Sequence, residues 1–248
     1  MNKRKNLIII FMLFCLIGII VSVGLIANWG KDASTNKRVN KKLEKYVTKN
    51  IVNEEDSLTI DFEELKKINS DTVGYLKVPS TNVDFVVVKG NDNSFYLKHD
   101  FNKEENILGW IFMNYKNKAD GSDKNTVIFG HNTPNGLMFG SLANLLEEEH
   151  FKDENNLIEN NLIIDFYTDK ERKKYKIFSV YIVEPEDYYI KTDFEEDEFE
   201  RFKEKLKERS IHKFDTDIKN KKILTLSTCQ KYGTKRLAVH AVEIDLED

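Results

Sequence analysis

Ile223-Leu224-Thr225-Leu226-Ser227-Thr228-Cys229 and Arg236-Leu237-Ala238-Val239-His240-Ala241-Val242-Glu243-Ile244 are two β-branched and aliphatic runs with a partial period of two. The polar, glycine-containing stretch Gln230-Lys231-Tyr232-Gly233-Thr234-Lys235 joins them, so together they read as an antiparallel hairpin. Symmetric pairing about that connection sets Cys229 directly opposite Arg236, with Cβ atoms about 5 Å apart on one face. A permanent cation beside a thiol favours thiolate, the nucleophilic form of sulfur.

Outward from the hairpin, short strand patterns recur at residues 74–78, 83–88, 109–113, 126–129, 162–167 and 174–183, separated by Gly, Asn, Asp and Pro. Helices are expected from the capping box at Asp61 to about Asn69, from Met138 to about Glu148, and after a second capping box at Thr192 to Glu195. Many short strands with few inserted helices argue for a mostly-β barrel or sandwich.

Ahead of these elements, residues 1–6 are basic and residues 7–27 run for 21 positions without a charge. That length spans a bilayer and exceeds the apolar region of a signal peptide, so an uncleaved anchor is expected. The basic leading tail places the amino terminus in the cytoplasm and the remainder outside. Residues 28–55 read as a basic stalk with one amphipathic helix carrying Val39, Leu43, Tyr46 and Val47, and residues 56–248 as a single external domain. Residues 1–50 carry a net charge of +8, and the total of −4 leaves −12 on the rest, which argues against nucleic-acid binding.

Cys15 lies in the apolar stretch, so Cys229 has no disulfide partner and is flagged as a reactive thiol. Of five histidines, His99, His150 and His212 sit in charged stretches and are expected at the surface. His131 follows a buried-looking strand behind Gly130 and opens a loop with Pro134 and Gly136, a favoured setting for a catalytic group. His240 lies four residues along the strand from Arg236, roughly 13 Å away, and is expected to be hydrogen-bonded within the barrel rather than to act on Cys229. The three groups at Cys229, His131 and Arg236 supply a nucleophile, a proton shuttle and an oxyanion or substrate clamp. No cofactor is expected: the calcium loop, paired zinc ligands and phosphate-binding glycine loops are missing from the sequence.

These residues resemble the sortases, cysteine transpeptidases of Gram-positive cell surfaces. The resemblance rests on Thr225-Leu226-Ser227-Thr228-Cys229, on Arg236-Leu237-Ala238-Val239-His240 and on Gly130-His131-Asn132. It is strongest to class B, through Gly74-Tyr75-Leu76-Lys77-Val78, Asp92-Asn93-Ser94-Phe95-Tyr96-Leu97, Ile111-Phe112-Met113-Asn114-Tyr115 and Met138-Phe139-Gly140-Ser141-Leu142. The resemblance implies an eight-stranded β-barrel with N-terminal helices and a long helix inserted before the final hairpin. It also implies cleavage of a C-terminal sorting signal through a thioester on Cys229, and transfer of the surface protein to a peptidoglycan-precursor amine. In that scheme His131 moves the protons, Arg236 holds the substrate or its oxyanion, and Ser227, Thr228 and Asn132 help to shape the pocket. Gln230 offers no carboxylate beside the cysteine. Two other readings fit the residues: a surface cysteine hydrolase with water as acceptor, and an anchored binding module whose cysteine is merely buried.

Overall fold

The computed structural model describes residues 2–52, 55–153, 156–229 and 235–245. The connection 230–234 lies outside them, and Cys229 is located by its backbone.

The chain runs as α1 (Asn2–Leu43), β1 (Val47–Val52), β2 (Glu55–Ile60), α2 (Phe62–Ile68), β3 (Thr72–Lys77), β4 (Asp84–Val88), β5 (Phe112–Met113) and β6 (Asn125–His131). It continues through β7 (Lys152–Asp153), β8 (Asn156–Leu157), β9 (Ile163–Tyr167), β10 (Arg172–Val183), α3 (Glu196–Glu208), β11 (Ile223–Cys229) and β12 (Arg236–Ile244). Eight strands close a barrel in the order β10-β12-β11-β6-β5-β4-β3-β9, as the resemblance implied. Pairing is antiparallel except for β11 with β6 and β4 with β5.

The barrel has two cores because the final strands are covered on both faces. Leu224, Leu226, Leu237, Val239 and Ala241 point into the barrel. Ile223, Ala238 and Val242 join Phe199, Phe202 and Leu206 of α3 in a second cluster. Burying each large apolar side chain on α3 contributes about 1.5–3 kcal/mol, enough to hold an otherwise charged helix on the sheet. On β10 the alternation changes phase: Tyr175, Ile177 and Val180 face the barrel, whereas Phe178 and Tyr181 face α3. A β-bulge between Ile177 and Ser179 inserts the extra residue that causes this shift.

Local structure departs from the expectations at three places. Residues 47–60, partly assigned to a stalk, form the antiparallel hairpin β1–β2, with Val47 opposite Ile60. The helix expected from Met138 to Glu148 is two 3-10 segments, Gly140–Leu146 and Glu148–His150. Thr192 does not cap α3; the helix begins one turn later behind Glu195, without a side-chain cap. The Asp61 cap does form, its carboxylate accepting from the Glu64 N–H at 3.0 Å.

α1 is a single helix past its apolar stretch, and its far end is built into the domain. Ala33, Asn36, Val39 and Leu43 are buried, and Asn36 Nδ2 donates to the Gly109 carbonyl at 2.9 Å. Gly109 has φ of +55°, and an added Cβ would lie 2.2 Å from the Tyr96 carbonyl oxygen. Gly109→Ala should therefore destabilise the protein by roughly 2–4 kcal/mol, read as a lowered midpoint in thermal unfolding of detergent-solubilised protein.

Candidate active site

β11 lies between β6 and β12, and its two registers bring the predicted groups to one level of the barrel. The parallel ladder with β6 runs from Ile223 opposite Asn125 to Cys229 opposite His131. The antiparallel ladder with β12 pairs Ile223 with Val242 and Ser227 with Ala238. Continued two residues past that last pair, the same register would set Cys229 opposite Arg236. Neighbouring strands are about 4.8 Å apart, so the Cys229 backbone is flanked by that of His131 on the β6 side, and Arg236 opens β12 on the other. Beyond the last rung, Thr228 Oγ1 accepts from the Leu237 N–H at 2.9 Å and keeps the strands in register.

His131 is half-buried at the end of β6. Gly130 must precede it, because a Cβ there would sit 2.5 Å from Ile111 Cδ1 and 2.7 Å from Phe139 Cγ. The His131 Nε2–H donates to the Leu97 carbonyl at 2.8 Å. That carbonyl belongs to the 3-10 turn Phe95–Leu97, which Asp92 organises by accepting from the N–H groups of Ser94 and Phe95. With hydrogen on Nε2, Nδ1 is the nitrogen through which a neutral ring exchanges a proton.

His131 and Arg236 share a cleft of about 770 Å³. Leu97 and His99 also line it, and α1 supplies Asn28, Lys31 and Asp32. A larger cavity, about 920 Å³, lies between Asn93, Asn114 and the 187–195 segment; among the described residues its lining holds no histidine or cysteine.

The remaining expected site residues have structural partners. Ser227 is buried and hydrogen-bonded to the Tyr189 hydroxyl at 2.9 Å. Thr228 is buried as well, and Asn132 is exposed, pairing through its backbone with Met138. Three histidines differ from their surface assignment. His99 stacks on Phe95 with ring centroids 3.9 Å apart and faces the cleft, bonded through Nδ1 to the Phe95 carbonyl. His212 Nε2 bonds the Leu145 carbonyl at 3.0 Å, and half-burial pushes the His150 imidazole pKa down. All three are half-buried despite their charged sequence neighbours: His99 packs on Phe95 one turn away, His150 sits edge-on to adjacent Phe151, and His212 reaches Leu145 and Phe151 across the fold.

His240 is fully buried beneath α3, in the polar role expected of it. The Tyr181 hydroxyl donates to its Nε2 at 3.1 Å, and its Nδ1–H donates to Thr225 Oγ1 at 2.9 Å. Thr225 in turn donates to Asn125 Oδ1 at 2.7 Å, and Asn125 Nδ2 donates to the Lys191 carbonyl at 2.8 Å. This direction of donation requires a neutral ring. Burial, then the nearby Arg209 cation, pushes its pKa down to about 3.

The sequence matches the Sortase domain family over residues 76–244. It is 30% identical to Sortase B of Staphylococcus aureus over 246 residues, covering 97% of this chain and 98% of that protein. A crystal structure of sortase B from B. anthracis in complex with AAEK1 superposes with a TM-score of 0.74 at 32% identity, covering 87% of this chain and 99% of that one. A Sortase B complexed with triglycine gives 0.68 at 33% identity, over 75% and 86% of the two chains.

Because the folded His240 takes up a proton only near pH 3 while the unfolded residue does so near 6.5, the unfolded state binds more protons in that window. Its contribution is intact above about pH 6.5 and is lost as the pH falls towards 3. His240→Leu should cost roughly 2–4 kcal/mol near neutrality and flatten that acid limb, measured by denaturant unfolding across the pH range.

Proposed function

The chain belongs to the sortase family, in class B, and is a cysteine transpeptidase; on that premise we infer that Cys229 is its nucleophile, His131 its proton shuttle and Arg236 its substrate or oxyanion clamp. The observation that carries the assignment is the register of three adjacent strands, which supports a site with Cys229 in the middle. Sortases act on proteins bearing a C-terminal sorting signal and on amine nucleophiles.

In the first half-reaction the Cys229 thiolate attacks the scissile carbonyl of the sorting signal. A C–S bond forms, the C–N bond breaks, and protonated His131 gives its proton to the leaving amine. Arg236 donates to the carbonyl oxygen as it gains charge, an interaction that strengthens towards the tetrahedral state. In the second half-reaction an acceptor amine attacks the thioester, His131 takes its proton, and the thiolate leaves. One amide bond is exchanged for another, with no cofactor required. By analogy with the triglycine-bound relative, a peptidoglycan-precursor amine at the end of a short peptide suits this role. Ser227 and Thr228 act by holding β11 in place, and Asn132 by shaping the turn after His131.

The same reading gives α1 the role of anchor. Residues 7–27 of the helix are exposed along their length, and 21 residues at 1.5 Å per residue reach about 31 Å, close to the bilayer hydrocarbon thickness. With residues 1–6 in the cytoplasm, the barrel lies outside.

A peptide library presented to the protein with and without triglycine identifies the sorting signal and separates transfer from hydrolysis. Cys229→Ala should reduce both cleavage and amide product to background. Arg236→Lys should lower kcat/KM by about 10²-fold, because an ammonium cannot reproduce the guanidinium's planar pair of donors. Retained transfer by Cys229→Ala would sink the assignment.

A further inference from the structure

The cleft that contains His131 and Arg236 has the membrane helix as one of its walls. Residues 7–27 of α1 are apolar, and the helix continues unbroken to Leu43. Asn28, Lys31 and Asp32, the first polar residues beyond the apolar stretch, line the cleft. Asp32 is five residues past Ala27, about 7–8 Å along the helix axis, whereas the headgroup layer extends about 5–8 Å on each side of the hydrocarbon.

This height is fixed by docking. Asp32, Asn36 and Asn40 recur every four residues on one face of α1. Asp32 Oδ2 accepts from the Ile107 N–H at 2.9 Å, and Asn36 Oδ1 accepts from Asn106 Nδ2 at 2.9 Å while its Nδ2 donates to Gly109. Asn40 Nδ2 donates to the Asp84 carbonyl at 3.0 Å. Asn and Asp are poor residues for a helix interior, and here their polar groups bond to the domain instead. Tilting α1 away would strip Asp32 and Asn36, both buried, of these partners. One feature suits the boundary itself: Trp29 stands one turn before Asp32, where aromatic residues mark membrane interfaces, and the cleft beside it is rimmed by charged side chains of both signs, Lys31 and Lys98 with Glu104 and Glu105.

We propose that α1 is a height gauge: it holds the acyl-transfer cleft in the headgroup layer, so that transfer is confined to amines displayed in that layer. The proposal rests on the reading of α1 as a membrane span and of this cleft as the transpeptidase site. It goes further in making the register between span and domain, rather than the barrel alone, a determinant of which acceptors are used.

The test uses the full chain in vesicles of phosphatidylcholine and phosphatidylglycerol, with a cleavable peptide from the library, and two acceptors: free triglycine and triglycine coupled to phosphatidylethanolamine. Inserting about seven alanines between Ala27 and Asn28 adds two turns, lifts the domain about 10 Å and nearly preserves its facing. Transfer to the lipid-linked acceptor should fall at least about 10-fold, while peptide cleavage and transfer to free triglycine stay within about 2-fold. Undiminished lipid-linked transfer would overturn the proposal, as would equal loss in all three assays, which would make α1 a support for the cleft rather than its gauge. Height is read independently of activity, in a Cys15→Ser, Cys229→Ala background. A bimane label at Glu105→Cys should be quenched by headgroup spin-labelled lipid at least about 2-fold more than one at Lys45→Cys, about 27 Å along the helix path from Ala27. Equal quenching also overturns it. Absence of peptide cleavage by the unaltered chain, with the depth contrast intact, would count against the transpeptidase reading alone.

Discussion

The backbone ladder that pins β11 between β6 and β12 is the constraint on which everything else depends. A slip of one residue on either side would move Cys229 off the level of His131 or Arg236, and would also turn every side chain of β11 to the opposite face. Both faces resist this. Leu224 and Leu226 fill the barrel, while Ile223, Thr225 and Ser227 meet the cluster and polar chain beneath α3. The register is thus specified twice, once by apolar volume and once by hydrogen-bond direction.

That second specification explains why a barrel strand pair carries so much polarity. The chain from Tyr181 through His240, Thr225 and Asn125 to the Lys191 carbonyl crosses four adjacent strands of the wall. Its far end holds the start of the segment that leads into α3, and Tyr189, from the same segment, bonds Ser227 of β11. Buried polar groups are costly when unpaired and specific when satisfied, so this network fixes one arrangement of the inserted helix. It does so without charge, since the ring at its centre stays neutral until about pH 3.

What was legible in the sequence was local or symmetric. The register of the hairpin is legible because its connection is short, and the pairs from Ile223–Val242 to Ser227–Ala238 are those it predicts; Gly130-His131 stands out because a glycine between a strand and a turn marks close packing. The parallel pairing of β6 with β11 could not be read, since it joins residues a hundred positions apart. His99 is expected at the surface because its neighbours are charged; the brief helical turn over residues 93–97 is legible in the sequence and forms at Phe95–Leu97, but the stacking of His99 on Phe95 that it permits is not. The β1–β2 hairpin, the bulge in β10 and the docked end of α1 share this character. For α1 there was a signal, the four-residue repeat of Asp32, Asn36 and Asn40, hidden by the stronger apolar pattern of Val39 and Leu43.

The position of β11 inside the closed barrel bears on how the protein fails. Segments that open by local fluctuation are those with exposed hydrogen bonds and few buried neighbours, whereas a strand laddered on both edges and covered on both faces opens only when the whole domain does. From residue 223 to 228, β11 is buried without interruption. The stretch leading to Cys229 therefore belongs to the last part of the molecule to let go. Loss of this strand and loss of the fold become a single cooperative event, whereas the turn at Phe95–Leu97 that orients His131 lies outside that protection.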